Sequence, residues 1–298
     1  VRARANVCRH RGVEVAAGQG NARHFTCPYH GWLYDIDGKL SVAPYMKRSE
    51  ADLSDCQLPN LNVRLWRGFV FMNFAADPED FDTFIAPFEA EFGFLKPENC
   101  KVGLRRTFEV NCNWKLAVEN LMDVYHAGVV HASSFGRYYR GNKEDYEFNL
   151  LDNGGYSFFL EAAPFTKSAT SSFGKFPWLK DQKDSLAYTA FLPPNMPFVG
   201  RSDSFRIWSV WPLDVDRTRL VSHTMFAAEA LEDPEFDTKV KPYEATLEQV
   251  VEEDREMIES LHLGVQSINF EPGPFSHLES AIHHAIRGYL ERMGVPAV

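Results

Sequence analysis

Two short segments near the start of the chain place the strongest constraint on its fold. Cys8-Arg-His10 and Cys27-Pro-Tyr-His30 each supply one thiol and one imidazole, and sixteen residues separate them. Two Cys and two His can hold a structural zinc ion, or a [2Fe–2S] cluster in which two His replace two Cys on one iron. Zinc modules usually take Cys with Cys and His with His along the chain. The mixed order therefore favours two loops around a two-iron cluster, with zinc as the alternative.

A second group of metal-binding side chains lies in the segment NWKLAVENLMDVYHAGVVH, which contains Asp123, His126 and His131. Asp123 and His126 would share one side of a helix. His131 would lie roughly 140° further round an unbroken helix, too far to share a metal with His126. We therefore predict that the helix bends or ends near Gly128 and the two valines that follow it. Both imidazoles can then join a carboxylate from elsewhere in a 2-His-1-carboxylate iron site with open positions. The alternative is a core helix with two incidental histidines.

Composition limits the other possibilities. The chain has 298 residues, of which 45% are hydrophobic, so it can bury one large core or two smaller ones. Its formal net charge of −10 argues against a nucleic-acid partner and fits an acidic enzyme that docks small redox proteins. No apolar run approaches the length of a membrane span. Cys56, Cys100 and Cys112 show no disulfide framework, so we expect reduced thiols and a cytoplasmic protein.

The segments NVCRHRG, CPYHGWLYDIDGKL, NWKLAVEN and D-x-x-H-x4-H together resemble the terminal oxygenase (α) subunit of Rieske non-haem iron ring-hydroxylating oxygenases. The resemblance spans most of the chain. It implies an α+β fold, with a small all-β Rieske [2Fe–2S] domain over residues 1–80. A helix-grip-type catalytic domain with a large antiparallel sheet would follow over residues 81–298. Family members carry further residues before the cluster motif, so we expect the N-terminal part of the first domain to be missing from this sequence.

The resemblance also implies which residues bind each metal. One cluster iron would be held by two thiolates and the other by two imidazoles, namely Cys8 with Cys27 and His10 with His30. His126 and His131 would hold a mononuclear Fe(II). Asp123 would bridge His126 to a cluster histidine of a neighbouring subunit, which requires a head-to-tail homotrimer.

The third iron ligand is expected on a predicted helix from Pro242 to Val265. The family pattern there is an acidic pair, four residues, Glu, two residues, usually Gln, one residue and Gly. The sequence has its acidic pair at Glu253-Asp254 and the following Glu at Glu259, which makes Asp254 the expected ligand. His262 stands where the family more often has Gln, so Glu253 remains the alternative.

Alternating apolar residues predict most of the remaining elements. Residues 63–74 should form a strand pair that turns at Arg67-Gly68, and Asp77 to Pro97 a helical connector. Ser276 and Glu279 form a capping-box pattern at the start of a last helix. In the family, the segment comparable to Tyr138–Asp152 caps the pocket mouth. Strands of the catalytic sheet are predicted at Leu104–Cys112, Gly155–Ala162, Leu186–Leu192, Ser204–Trp211 and Thr218–Ala227.

The expected reaction is O2 activation with electrons from NAD(P)H. The chain has no GxGxxG fingerprint, so a separate reductase, with or without a ferredoxin, must supply them. An Asp at position 123, rather than the Glu of choline- and carnitine-type relatives, favours hydroxylation or dihydroxylation of an aromatic substrate, in particular an aromatic acid. The alternatives are monooxygenation or N-demethylation of a quaternary or N-methylated amine, which aromatic side chains can bind, and a zinc-binding scaffold without enzyme activity. Candidate pocket residues are Glu119, Asn120, Leu121, Ala127, Phe135 and His223. The alternatives are a core position for His223 and a buried hydrogen bond that holds the helix for Glu119.

Overall fold

The computed structural model describes residues 1–136 and 143–295. The predicted pocket cap, which begins at Tyr138, therefore lies partly outside the described residues. The chain separates into two compact units, Val1–Phe81 and Asp82–Val298. All five cysteines are free thiols. Among the described residues, no helix combines the length and the hydrophobicity of a transmembrane span.

The first unit contains two three-stranded antiparallel sheets. One has the order β1-β5-β6 and the other β2-β3-β4. Its strands are β1 (Ala3–Arg4), β2 (His24–Thr26), β3 (Leu33–Asp35), β4 (Leu40–Val42), β5 (Asn60–Trp66) and β6 (Phe69–Asn73). Arg67 and Gly68 both have positive φ and join the paired residues Trp66 and Phe69, which is the geometry of a two-residue hairpin turn. The predicted hairpin therefore forms where the sequence places it.

A seven-stranded antiparallel sheet forms the centre of the second unit. Its order is β7-β13-β12-β11-β10-β9-β8. The strands are β7 (Cys100–Val110), β8 (Asn149–Leu150), β9 (Tyr156–Glu161), β10 (Leu186–Leu192), β11 (Met196–Arg201), β12 (Phe205–Asp214) and β13 (Arg217–Ala227). The helices are α1 (Phe81–Phe92), α2 (Trp114–Met122), α3 (Phe236–Lys239), α4 (Lys241–Val265) and α5 (Ser280–Arg292). The predicted strands and the long helix are present, whereas β8 and β11 were not predicted.

Helices cover the two faces of this sheet differently. On one face, Trp208 and Leu220 pack into a single core with apolar residues of α2, α4 and α5. On the other face, rings of α1 contact the sheet, with Phe88 and Phe92 lying 5.8 and 5.3 Å from the Phe198 ring. A fully buried Phe contributes roughly 1.5–3 kcal/mol through burial alone. These contacts make one helix-covered face and one face covered in part by α1.

His223 lies on the second of these faces. It is paired with Ile207 and Arg105, and its sequence neighbours Ser222 and Thr224 point to the face that carries α2 and α4. The His223 side chain is half-buried, and burial together with the charge of Arg105 lowers its pKa. The alternation of the strand therefore places His223 away from the expected pocket, so this prediction is corrected.

Candidate metal centres

The two Cys/His segments fold into the same backbone turn. In each, the Cys carbonyl accepts a hydrogen bond from the glycine four residues later, at 2.9 Å for Gly12 and 3.1 Å for Gly31. The Cys N–H in turn donates to the carbonyl five residues later, at 2.9 and 2.8 Å. Both glycines have positive φ, at 82° and 71°, which other residues adopt only at a cost. A repeated turn thus presents two similar loops, each with one Cys and one His.

The loops bring the four predicted cluster ligands together as two pairs. Cys8 and Cys27 are buried, each 2% exposed, whereas the Nδ1 atoms of His10 and His30 face each other at 3.1 Å on the exposed side. Burial by itself raises the pKa of the Cys8 thiol. Hydrogen bonds from the Tyr34 hydroxyl, from Cys27 and from backbone N–H groups outweigh burial and lower it. Two thiols opposite two imidazoles, with the Cys8 thiolate stabilised, fit a cluster with sulfur ligands on one iron and nitrogen ligands on the other.

Helix α2 ends directly before the first residue of the second centre. Asn113 caps the helix by accepting a hydrogen bond from the Lys115 N–H at 3.2 Å, and the helix ends at Met122. We predicted a bend or end near Gly128, so the helix is shorter than expected. Asp123 accepts a hydrogen bond from the Tyr125 N–H at 2.6 Å, and such a local side-chain bond competes with the helix.

A turn follows each of the two histidines. A 3-10 turn spans His126–Gly128, and the Gly136 N–H donates to the His131 carbonyl at 2.9 Å. A Cβ at position 136 would lie 2.2 Å from the Ala127 carbonyl oxygen. Only glycine fits there without a shift of the backbone, which explains its place after the second histidine.

Three ligand atoms meet at one point in this second centre. The Nε2 atoms of His126 and His131 are 3.2 Å apart. Asp254 Oδ1, from α4, lies 3.3 Å from the first nitrogen and 3.1 Å from the second. His131 is 1% exposed, and the Asp254 side chain is 13% exposed. Converging acceptors in a largely buried position fit a single divalent ion of the 2-His-1-carboxylate type.

Two further carboxylates fix the orientation of the histidines. Asp123 Oδ2 lies 2.9 Å from His126 Nδ1, and Glu253 Oε2 lies 2.7 Å from His131 Nδ1. Each ring then donates from Nδ1 and turns its Nε2 lone pair to the shared point. The two adjacent acids therefore have different contacts. Asp254 faces the Nε2 atoms of His126 and His131, and Glu253 faces Nδ1 of His131. Burial lowers the pKa of His126, but Asp123 and Asp254 outweigh it and raise that pKa to about 9.

The other predicted pocket residues have varied environments. Phe135 lies against His131, with ring centroids 4.5 Å apart. Asn120 Nδ2 donates to Asp254 Oδ1 at 3.3 Å, so it contacts the triad directly. Ala127 is buried, Leu121 packs on the main core, and burial raises the pKa of Glu119 to about 7.

A cavity of about 210 Å³ lies beside the triad. Most of its lining was not predicted from the sequence, although the Ser-Ser pair after His131 and the Gln one helical turn before Glu253 were visible signals. The lining residues are Ser133, Ser134, Phe135, Thr166, Lys167, Thr246 and Gln249.

A unit with two Cys/His loops and a second unit with a 2-His-1-carboxylate triad together define a two-centre iron oxygenase. Residues 1–62 match the model of the Rieske [2Fe-2S] domain. Residues 97–295 match the model "Ring hydroxylating alpha subunit (catalytic domain)", and the chain belongs to that family. The predicted family, fold class and cofactors are confirmed, and the zinc-scaffold alternative is set aside. The enzyme uses a Rieske cluster and a mononuclear iron and depends on a separate reductase for electrons.

Similar proteins span different substrates. The glycine betaine monooxygenase oxygenase subunit of Pseudomonas aeruginosa is 24% identical over 97% of this chain and 74% of its own length. The large oxygenase component of salicylate 5-hydroxylase from Ralstonia sp is 34% identical over 47% of this chain and 37% of its own. A quaternary ammonium Rieske monooxygenase bound to L-carnitine has a TM-score of 0.71 at 22% identity, covering 97% of this chain and 78% of that one. Naphthalene 1,2-dioxygenase with indole has a TM-score of 0.73 at 18% identity, covering 97% and 77%.

Proposed function

We propose that this terminal oxygenase holds its mononuclear iron with His126, His131 and Asp254 and oxygenates a small organic substrate. The observation that carries this proposal is the convergence of the three ligand atoms within 3.3 Å of one another. The cluster ligands in the same proposal are Cys8, His10, Cys27 and His30. When bound, the cluster would supply electrons one at a time, and the mononuclear iron would offer open positions for O2.

The protein's own side chains prepare the site for this chemistry. Glu253 and Asp123 hold the Nδ1 protons of the two histidines, so that both Nε2 atoms stay available as ligands. Asn120 steadies the Asp254 carboxylate through a hydrogen bond. The Phe135 ring covers His131 and keeps water from that side of the ligand.

Asp123 is proposed to connect the two centres of neighbouring subunits in a head-to-tail homotrimer. Its side chain is 18% exposed, and Tyr125 beside it is 54% exposed, which leaves this edge open to a partner. Asp123→Asn keeps the shape and removes the charge, so with Fe(II) supplied in excess both metals should be bound while turnover stops. Metal content and product formation test this, and normal coupled turnover by the variant would exclude Asp123 from the mechanism.

The leading substrate class is an aromatic compound, because position 123 is Asp. The second candidate is a quaternary or N-methylated amine, which is favoured by the similarity to the glycine betaine enzyme along nearly the whole chain. A panel of aromatic acids and N-methylated compounds separates these classes when product is measured together with NADH loss. The partners in this proposal are a reductase and, where needed, a ferredoxin. The free thiols support a reducing compartment such as the cytoplasm.

Iron and acid-labile sulfide analysis gives the first test. A purified enzyme should contain three irons and two sulfides per chain, since a [2Fe–2S] cluster and one mononuclear iron account for them. Retention of the cluster with loss of one iron in His131→Ala would support the assignment of the triad. An unchanged iron content in that variant would contradict it.

A further inference from the structure

A buried arginine in the catalytic unit lacks an acidic partner. Arg206 lies on β12 and is 5% exposed. Its Nε donates to Thr224 Oγ1 at 3.2 Å, and its guanidinium lies 5.5 Å from the centre of the Phe165 ring. No acidic side chain among residues 1–136 and 143–295 forms an ion pair with it or acts on its charge. Burial of a cation without a counter-charge is strongly unfavourable.

A second arginine increases this cost. Arg201, at the end of β11, is 1% exposed and stacks on the same Phe165 ring at 3.8 Å. Burial, and then the charge of Arg201, lower the pKa of Arg206 to about 9, which leaves it positive at neutral pH. Asp203 does not serve as the counter-charge: its carboxyl accepts hydrogen bonds from Tyr243 and Ser204 and does not act on the charge of Arg206.

An unused hydroxyl lies close to Arg206. Ser222 Oγ is buried and has no hydrogen-bond partner among the described residues. Thr224 is paired directly with Arg206, and Ser222 lies two residues before it on the same face of β13. Diagonal neighbours in a sheet lie about 7–8 Å apart, within reach of a long side chain. A guanidinium and a free hydroxyl on one face are the donors that a carboxylate requires.

Aromatic rings connect this position to the triad. Phe165 lies under both arginines and is 5.3 Å from Phe135, which in turn lies 4.5 Å from the ring of His131. Arg206 also shares its sheet face with Trp208, which packs in the core formed with α2 and α4. The buried charge therefore lies on the same side of the sheet as the helix that carries Asp254.

We propose that Arg206 and Ser222 bind the carboxylate of the substrate, so that the enzyme oxygenates an organic acid whose other end lies towards the triad. This inference rests on the proposed function and narrows it. Aromatic acids and trimethylammonium acids both meet the requirement, whereas neutral hydrocarbons do not.

The test compares acids with their neutral amides on the holoenzyme. Calorimetric dissociation constants are measured for salicylate and salicylamide, and for glycine betaine and its amide. The wild-type enzyme should bind at least one acid about 30-fold or more tightly than its amide, as expected for a buried charge pair. The acid that binds identifies the substrate class. Absence of any preference for either acid over its amide would overturn the proposal.

Variants assign the effect to the residues. Arg206→Met should reduce the affinity for the acid to that for the amide and leave amide binding unchanged, and Ser222→Ala should cause a smaller loss. The control is Arg105→Met, an exposed arginine on the other face of β7, which should bind both ligands normally. If Arg206→Met does not fold, Arg206→Lys is measured instead. Its affinity for the acid should fall about tenfold or more and its affinity for the amide should not change, because lysine cannot donate two parallel hydrogen bonds to a carboxylate. Equal losses for acid and amide would show a structural role and refute the proposal.

Failure of this inference can be told apart from failure of the proposed function. An enzyme with both metals that oxygenates neutral compounds, and whose Arg206 variants behave normally, would keep the proposed function and lose the carboxylate site. An enzyme with both metals that binds acids through Arg206 but forms no oxygenated product would lose the proposed function.

Discussion

Replacing Glu253 with glutamine should weaken iron binding at the triad although Glu253 is not a proposed ligand. The carboxylate accepts four hydrogen bonds. His131 Nδ1 lies at 2.7 Å and Ser134 Oγ at 2.6 Å from Oε2, and Ser133 Oγ at 3.0 Å and Gln249 Nε2 at 2.9 Å from Oε1. Glutamine has one acceptor oxygen and an NH2 group. Its one oxygen can therefore accept hydrogen bonds from His131 and Ser134, or from Ser133 and Gln249, but not from both pairs.

The expected loss of Fe(II) affinity follows from the loss of the hydrogen bond between Glu253 and His131 Nδ1. Loss of a partner that orients a metal-bound histidine typically costs about 10- to 100-fold in metal affinity, or roughly 1.4–2.7 kcal/mol. Burial raises the pKa of Glu253, but its four hydrogen bonds outweigh burial and lower it, so the residue is a charged acceptor. Asp254→Asn should cause a larger loss, because it removes charge from an oxygen that faces both Nε2 atoms.

Anaerobic titration of Fe(II) against a chromogenic chelator measures this affinity, and the visible absorbance of the Rieske cluster confirms that the first unit is intact. The matched control is Glu252→Gln on the same helix, where the side chain is 63% exposed and contacts Arg255. Its affinity should equal that of the wild type. Wild-type affinity in Glu253→Gln would refute the proposed orienting role. A greater loss of Fe(II) affinity in Glu253→Gln than in Asp254→Asn would make Glu253 the iron ligand and Asp254 the orienting residue.

Three further outcomes are expected. Because the pKa of His126 is raised to about 9 in the metal-free protein, Fe(II) affinity should rise about tenfold per pH unit from neutral pH and level off near pH 9; a flat profile from the same titration would contradict this. Tyr34→Phe removes a hydroxyl 3.3 Å from Cys8 Sγ. The reduction potential of the cluster should fall by roughly 40–60 mV, which corresponds to the free energy of about one hydrogen bond. Voltammetry measures the potential, and an unchanged potential would contradict the prediction. Gly136→Ala should lower the free energy of unfolding by about 1–3 kcal/mol, measured by chemical denaturation, and reduce the iron content. The control is Gly264→Ala, where no atom lies near the added carbon and the free energy of unfolding should not fall.

Sequence patterns predicted elements whose signals are local. Five catalytic strands and α4 follow from short apolar or alternating runs and from helical period, because burial against the core leaves such a pattern in a local window. β11 was missed because Pro193, Pro194 and Pro197 argue against a strand. The pairing of β11 with β10 and β12 decides its conformation, and such tertiary contacts are not visible in a local window.

The end of α2 and the roles of the two acids depend on single side-chain contacts. The Asp123 carboxylate captures a backbone N–H and ends the helix before the residues that propensity indicates. Glu253 and Asp254 are adjacent, and the sequence could not decide which would reach the metal. In the structure they approach His131 from its two ring nitrogens.

This arrangement makes the register of α4 decisive for the proposed site, because one helix supplies both the proposed ligand oxygen of Asp254 and the Glu253 carboxylate behind His131. Adjacent helical residues point about 100° apart, so a slip by one residue would misplace both acids together. His262, where the family usually has Gln, contributes to holding that register. Its Nδ1 accepts from the Asn113 N–H at 3.4 Å, and its Nε2 lies 3.0 Å from Asp216 Oδ1. Since Asn113 caps α2, the imidazole connects the end of α4 to the start of the helix that leads into Asp123. The departure from the family pattern therefore keeps a polar side chain between the two helices, and Asp254 rather than Glu253 remains at the Nε2 atoms.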